Sequence, residues 1–189
     1  MSTIFIDVDS QLDFVYPAGA LYVPTAERIV PAIVHLNRYA AAHGIPVIST
    51  TDAHAENDPE FATWPKHCVA GAIGQRKPEA TLLDRRVVAP HWVEGVQQII
   101  VEKQTVDVFQ ARDFLPVLDR LNPARFVVYG VVTEICVLLA VRGLVKPGKP
   151  VTVVADAMRS LTAEAGRAAL DEMRAAGVTI SATGHVTQN

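Results

Sequence analysis

Cys136 is the residue around which the chemistry of this chain can be arranged. It lies in the stretch RFVVYGVVTEICVLLAV, residues 125–141. Phe126–Val128 is a short apolar, β-branched run, the signature of a strand buried on both faces. Gly130 breaks the run, and Thr133 and Glu134 can cap and charge the first turn of a following helix. Cys136 then falls in that turn, where unpaired N–H groups favour a thiolate and could bind the oxyanion of an acyl-transfer intermediate. Asp9 and Lys103 each follow another apolar run. A carboxylate can take a thiol proton and later return it to a leaving group. An ammonium between the two would hold the carboxylate ionised, favour the thiolate and orient both. Singly, each residue has a plain structural reading: a small buried hydrophobe, a loop carboxylate, a solvated lysine.

A second cluster is Asp52-Ala-His54, with Glu60 and His67 downstream. One carboxylate and two imidazoles, with water completing the shell, suit Zn²⁺, Mn²⁺ or Fe²⁺, and Glu60 can serve as a fourth ligand. Cys68 beside His67 reads as a structural thiol rather than a ligand. His35, His43, His91 and His185 read as ordinary polar residues.

The elements that must position these side chains alternate. Strands are expected at Ile4–Val8, Pro46–Thr50, Gln98–Glu102, Phe126–Val128, Val151–Ala155 and Val178–Ser181. Helices are expected after Thr25 (Ile29, Ile33, Leu36 and Tyr39 at helical spacing, closed by Gly44), after Asp113 (Phe114, Leu118, Leu121), after Gly130, and over Thr162–Ala176, closed by Gly177. Ala55–Gln97 shows no clear periodicity, and an excursion of that length is usually functional. Such alternation argues for a three-layer α/β/α fold around a mainly parallel sheet with right-handed crossovers. Ligands of open sheets bind outside the carboxyl ends of the strands. Asp9, Asp52, His54, Lys103 and Cys136 all follow strands at that end, so four strands deliver five reactive residues to one rim.

The 189 residues suggest one domain, half hydrophobic and one-fifth charged. A net charge of −3 without any basic run argues against nucleic acid as a partner. No apolar stretch reaches membrane-spanning length. The start, MSTIFIDVDS, lacks a basic n-region, so both cysteines are expected as thiols and the protein in the cytoplasm. The apolar helices leave room for a homo-oligomer without demanding one.

Taken in order, Asp9-Ser-Gln-Leu-Asp-Phe14, Asp52-Ala-His54, Trp64-Pro-Lys-His67-Cys-Val, Lys103 and Gly130-Val-Val-Thr-Glu-Ile-Cys136 resemble nicotinamidases of the isochorismatase-like cysteine hydrolases, over nearly the whole chain. The resemblance implies a six-stranded parallel sheet and a catalytic triad of Asp9, Lys103 and Cys136. It also implies an oxyanion hole from the N–H groups of Val132 and Cys136, with a cis Val131–Val132 bond. The family's metal would fall on Asp52, His54 and His67, and Phe14 and Trp64 would flank a pyridine ring. Two departures stand out. Glu60-Phe61 replaces a His-Phe pair found in many nicotinamidases, and Val106-Asp-Val-Phe109-Gln replaces the family's Tyr-Ser-x-Phe stretch, which puts Phe109 on the far wall of the pocket.

The activity so implied is metal-assisted hydrolysis of a small amide, nicotinamide first. Hydrolysis of another amide, carbamoyl or ureido compound is the nearest alternative. A phosphoacceptor receiver domain, which also sets acids after its first strand and a lysine later, is an alternative of another class. It would leave Cys136 and the Trp64–Val69 string unemployed.

Overall fold

The run TIFIDV forms β1 (Thr3–Val8), buried from Ile4 onward, and it occupies the middle of the sheet. In chain order it is followed by the short α1 (Leu12–Val15), α2 (Val30–Ala42), β2 (Val47–Asp52), β3 (Arg86–Val88) and β4 (Gln98–Lys103). Then come α3 (Phe114–Leu121), β5 (Arg125–Val131), α4 (Leu138–Val145), β6 (Val151–Arg159), α5 (Ala163–Ala175), β7 (Thr179–Ser181) and α6 (Thr183–Val186). This is a computed structural model and describes residues 2–188.

Among the described residues the sheet has seven strands in the order β3-β4-β2-β1-β5-β6-β7, every neighbouring pair parallel. That is one strand more than expected. The addition, β3, is three residues long and sits within the stretch that lacks periodicity, too short to leave a pattern. α2 and α6 touch on one face, and α4 and α5 pack together on the other, giving the three layers. The chain leaves β1 toward β2 on one side and returns as β5 on the other, so the loops after β1 and β5 part at the sheet's middle. A crevice at such a point is where open sheets bind ligands. No helix among the described residues is long and apolar enough to cross a membrane.

Several local expectations change. Thr25 and Asp113 precede helical segments but neither caps with its side chain, whereas Thr162 does, accepting from Ala165 N–H at 3.1 Å. Gly130 lies within β5 rather than ending it. Its φ is +122°, and a Cβ there would stand 2.0 Å from the carbonyl oxygen of Val8, so only glycine lets β5 approach β1 this closely.

Two buried charges lie within the fold away from the sheet's rim. Asp7, the penultimate residue of β1, has its Oδ2 3.1 Å from Lys77 Nζ, both side chains 1% exposed or less. Ser10 donates to Asp7 Oδ1 at 2.7 Å and Ser49 to Oδ2 at 3.3 Å, so the carboxylate is solvated by protein groups.

Candidate active site

Each reactive side chain sits where its strand ends. Asp9 follows β1 in the left-handed region, φ +47°, a conformation costing a non-glycine residue about 1 kcal/mol or more. Thr50 of β2 compensates: it accepts the Asp9 N–H through Oγ1 at 3.1 Å and donates that hydroxyl to Asp9 Oδ1 at 2.5 Å. Asp52 and Lys103 end β2 and β4 and pair in register. Cys136 lies beyond β5 in a π-helical turn, Thr133–Val137, that runs on into α4. The bond between Val131 and Val132 is cis, as the resemblance implies. Thr133 does not cap this turn, and Glu134 instead accepts the N–H of Leu161 at 2.9 Å through Oε1.

Lys103 joins the three strands. Its Nζ lies 2.9 Å from Asp9 Oδ2 and 4.0 Å from Cys136 Sγ, and it also bonds Asp52 Oδ1. Asp9 is fully buried, and Lys103 and Cys136 are 2% and 8% exposed, so these charges act in a poorly screened setting. Burial would lower the Lys103 ammonium, but Asp9, Cys136 and Asp52 hold it well above its ordinary value, so it stays cationic. Burial raises the Asp9 carboxyl despite the opposing pull of Lys103, which makes it a stronger base than an exposed aspartate.

Cys136 departs from expectation. Burial outweighs the attraction of Lys103, Asp9 adds to it, and the thiol is pushed well above its usual range. At rest the proton therefore sits on sulfur, and the helix start and the lysine together do not remove it.

The second cluster forms beside the first. Nε2 of His54 and Nε2 of His67 both lie 3.8 Å from Asp52 Oδ2. Glu60 Oε1 lies 3.9 Å from the first of these nitrogens and 4.0 Å from the second. Ligand atoms of Asp52, His54 and His67 all fall within 4.8 Å of one another, and all three residues are buried. A tetrahedral cation with arms of about 2.1 Å would hold its ligand atoms about 3.4 Å apart, so each Asp52–histidine distance needs to close by about 0.4 Å and no pair by more than about 1.4 Å. Both ring nitrogens of His54 are buried without a hydrogen-bond partner among the described residues, and the donors are of the kinds that bind divalent metals. The residues fit a metal ion.

Electrostatics agree. Burial alone would raise the Asp52 carboxyl, but Lys103 and the two histidine rings beside it carry it far below the usual range. Burial would lower His54, yet Asp52 and Asp58 raise it. Glu60 is raised, chiefly by burial. Cys68 is outside the cluster: its N–H donates to Asp13 Oδ2 at 2.7 Å, it is fully buried, and burial drives its thiol far up.

Between the two clusters opens a cavity of about 460 Å³, counting its mouth. Asp9, Asp52, Glu60, His67 and Cys136 supply its polar wall, and Phe14, Trp64, Val106 and Ile135 are among its apolar lining. Val132 also faces it. Phe109 does not. Asp107 accepts the Phe109 N–H at 3.0 Å and turns that residue inward, where its ring meets Phe114 edge-on at 5.0 Å and fills the space left by Gly143. Burying a large ring against α3 and α4 outweighs leaving it at the cavity, and Val106 takes the wall.

Residues 3–184 match the Isochorismatase domain family. The chain belongs to the isochorismatase family. This isochorismatase-family hydrolase is similar in structure to the pyrazinamidase/nicotinamidase of Streptococcus mutans, at 26% identity and TM-score 0.83, covering 95% of this chain and 99% of that one. It is also similar to the pyrazinamidase of Pyrococcus horikoshii in complex with zinc, at 28% identity and TM-score 0.82, covering 96% and 99%. An N-carbamoylsarcosine amidase from Thermoplasma acidophilum shares the fold, with 20% identity, TM-score 0.80 and 97% of each chain covered. No protein of curated function matches in sequence. The family membership favours a hydrolase over a phosphoacceptor receiver.

Thr50, Gln11, Asp58 and Val106 were not singled out by their sequence. Gln11 accepts the Asp52 N–H at 2.7 Å and donates to the Asp52 carbonyl at 2.8 Å, bracketing that residue's backbone. Its place in the Asp-x-Gln-x-Asp-Phe string was the available signal. The others carry none that spacing could reveal.

Proposed function

We propose that this chain is a metal-assisted cysteine amidohydrolase that converts nicotinamide, or a close carboxamide such as pyrazinamide, to the acid and ammonia. The observation that carries this reading is Lys103 bridging Asp9 and Cys136, which line an apolar cavity together with Asp52 and His67 of the Asp-His-His group. Asp52, His54 and His67, with Glu60 as a fourth donor, would hold the ion. Bound Zn²⁺, or Mn²⁺ or Fe²⁺ in its place, would supply a Lewis acid that anchors the ring nitrogen. The zinc complex of the Pyrococcus pyrazinamidase supports Zn²⁺ as the first choice.

Phe14 and Trp64 flank the ring, and the carboxamide lies over the Cys136 sulfur. Asp9 takes the thiol proton as sulfur attacks the carbonyl carbon, so the thiolate exists only as the new bond forms. This suits a resting thiol whose burial keeps it protonated. The N–H groups of Val132 and Cys136 stabilise the oxyanion, each such donor being worth about 3 kcal/mol. Asp9 returns its proton to the departing nitrogen, ammonia leaves, and a thioester remains. Water, deprotonated by Asp9, then attacks the thioester, releases the carboxylic acid and restores the thiol. Lys103 remains cationic throughout and neutralises Asp9 whenever it is ionised.

The apolar wall suits a flat ring better than a small ureido compound, whose polar edges would lose their water there without replacement. The test is ammonia release from nicotinamide, pyrazinamide and a panel of carbamoyl and ureido compounds, with and without a chelator. Preference for the ring amides, lost on chelation, is expected. Cys136→Ala should abolish turnover and keep ligand binding; full activity in that variant would end the proposal.

A further inference from the structure

His54 turns one ring nitrogen toward the cluster and the other toward Asp58. Nδ1 lies 3.1 Å from Asp58 Oδ2, while Nε2 faces Asp52 and Glu60. The second oxygen of the same carboxylate, Oδ1, accepts the N–H of Glu60 at 2.9 Å and so caps the turn Pro59–Ala62 that carries Glu60. Asp58 therefore touches two of the four cluster residues at once, with its side chain only 10% exposed.

A neutral imidazole offers a cation the lone pair of one nitrogen only, and the proton on the other decides which. An ionised carboxylate can accept but not donate. At 3.1 Å Asp58 is the carboxylate nearest the ring, against 3.8 Å and 3.9 Å for Asp52 and Glu60 at Nε2, so it favours the proton of His54 on Nδ1 and a bare Nε2 toward the cluster, although the contact is not aligned as a hydrogen bond. His67 is treated the same way by a main-chain group, its Nδ1 meeting the carbonyl of Pro65 at 2.7 Å.

We propose that Asp58 is a positioning residue for the metal-binding group, fixing His54 in its Nδ1–H tautomer while anchoring the turn that presents Glu60. This rests on the reading that Asp52, His54 and His67 hold a divalent ion.

Asp58→Asn separates the two tasks. Its side-chain oxygen still accepts the Glu60 N–H, but its amide NH₂ then faces His54 Nδ1 and drives the ring proton to Nε2. Zn²⁺ affinity of the full chain, measured by competition with a chromophoric chelator, should fall roughly 10- to 100-fold. Asp58→Ser keeps a capping oxygen and removes the carboxylate, so it should lose affinity in the same direction even if the Asn variant folds poorly. Long-range ¹H–¹⁵N spectra of the metal-free chain, with His54 neutral, should show Nδ1–H in the unsubstituted protein and Nε2–H in Asp58→Asn. Unchanged Zn²⁺ affinity in both folded variants, or Nε2–H in the unsubstituted protein, would overturn the assignment. Failure of the unsubstituted chain to take up Zn²⁺ would instead overturn the metal reading, and this inference with it.

Discussion

The Lys103 ammonium stands 2.9 Å from Oδ2 of Asp9, and the two are among the most deeply buried charges of the chain. Neither would be tolerated there alone, because an unpaired buried charge costs several kcal/mol. The pair keeps a strong base ionised beside a thiol without surrounding water. Asp9→Asn should therefore lower kcat about 10²- to 10⁴-fold, the usual worth of a positioned proton acceptor, with a smaller effect on KM. Steady-state ammonia release measures this.

Alkylation of Cys136 should be slow at neutral pH and climb steadily with pH. Burial keeps its thiol protonated well above the ordinary range, so the thiolate fraction grows tenfold per pH unit without levelling off near neutrality. Lys103→Met removes the cation that opposes this shift and should slow alkylation further at every pH. Iodoacetamide kinetics on the metal-free chain, followed by peptide mass, distinguish Cys136 from Cys68.

Stability should decline in alkali. Cys136 and Cys68 hold their protons to higher pH when folded than when unfolded, so the unfolded chain gives up more protons above the ordinary thiol value of about 8.5. Lys103 is also raised on folding, so its contribution is complete below about pH 10 and is lost above that. All three groups act in one direction, and calorimetric Tm should fall steadily from about pH 8.5 upward.

Gly130→Ala should be far costlier than a surface glycine replacement. Positive φ alone costs about 1–3 kcal/mol, and the Cβ would collide with the Val8 carbonyl at 2.0 Å. Because Val8 leads into Asp9 and Gly130 toward Cys136, relief of the clash would part the base from the nucleophile. Loss of activity should then exceed what the fraction unfolded in urea explains.

Lys77→Met should destabilise the chain by about 3–5 kcal/mol, since Asp7 would remain buried without its cation. Adding Asp7→Asn should recover part of that loss. Equilibrium urea unfolding of the single and double variants gives both values.

The reactive rim was readable in the sequence because the rule that sites gather at the carboxyl ends of parallel strands needs only strand positions and direction. Asp9, Asp52, His54, Lys103 and Cys136 came together for that reason. Residues whose roles depend on three-dimensional closeness alone stayed hidden. Thr50 reads as one more strand threonine, and Asp58 as a loop acid before proline. Phe109 was misplaced because an aromatic residue near a pocket segment gives no sign of which way its turn will face. The fate of the thiol proton was also beyond spacing arguments, since it follows from a balance between burial and one ammonium.

Both margins of the sheet, β3 and β7, are only three residues long, whereas the interior strands run from six to nine. Unpaired strand borders are templates on which other chains can add. With so few free main-chain donors and acceptors along either border, this architecture gives a growing cross-β assembly little to dock against, although its central strands carry long β-branched runs.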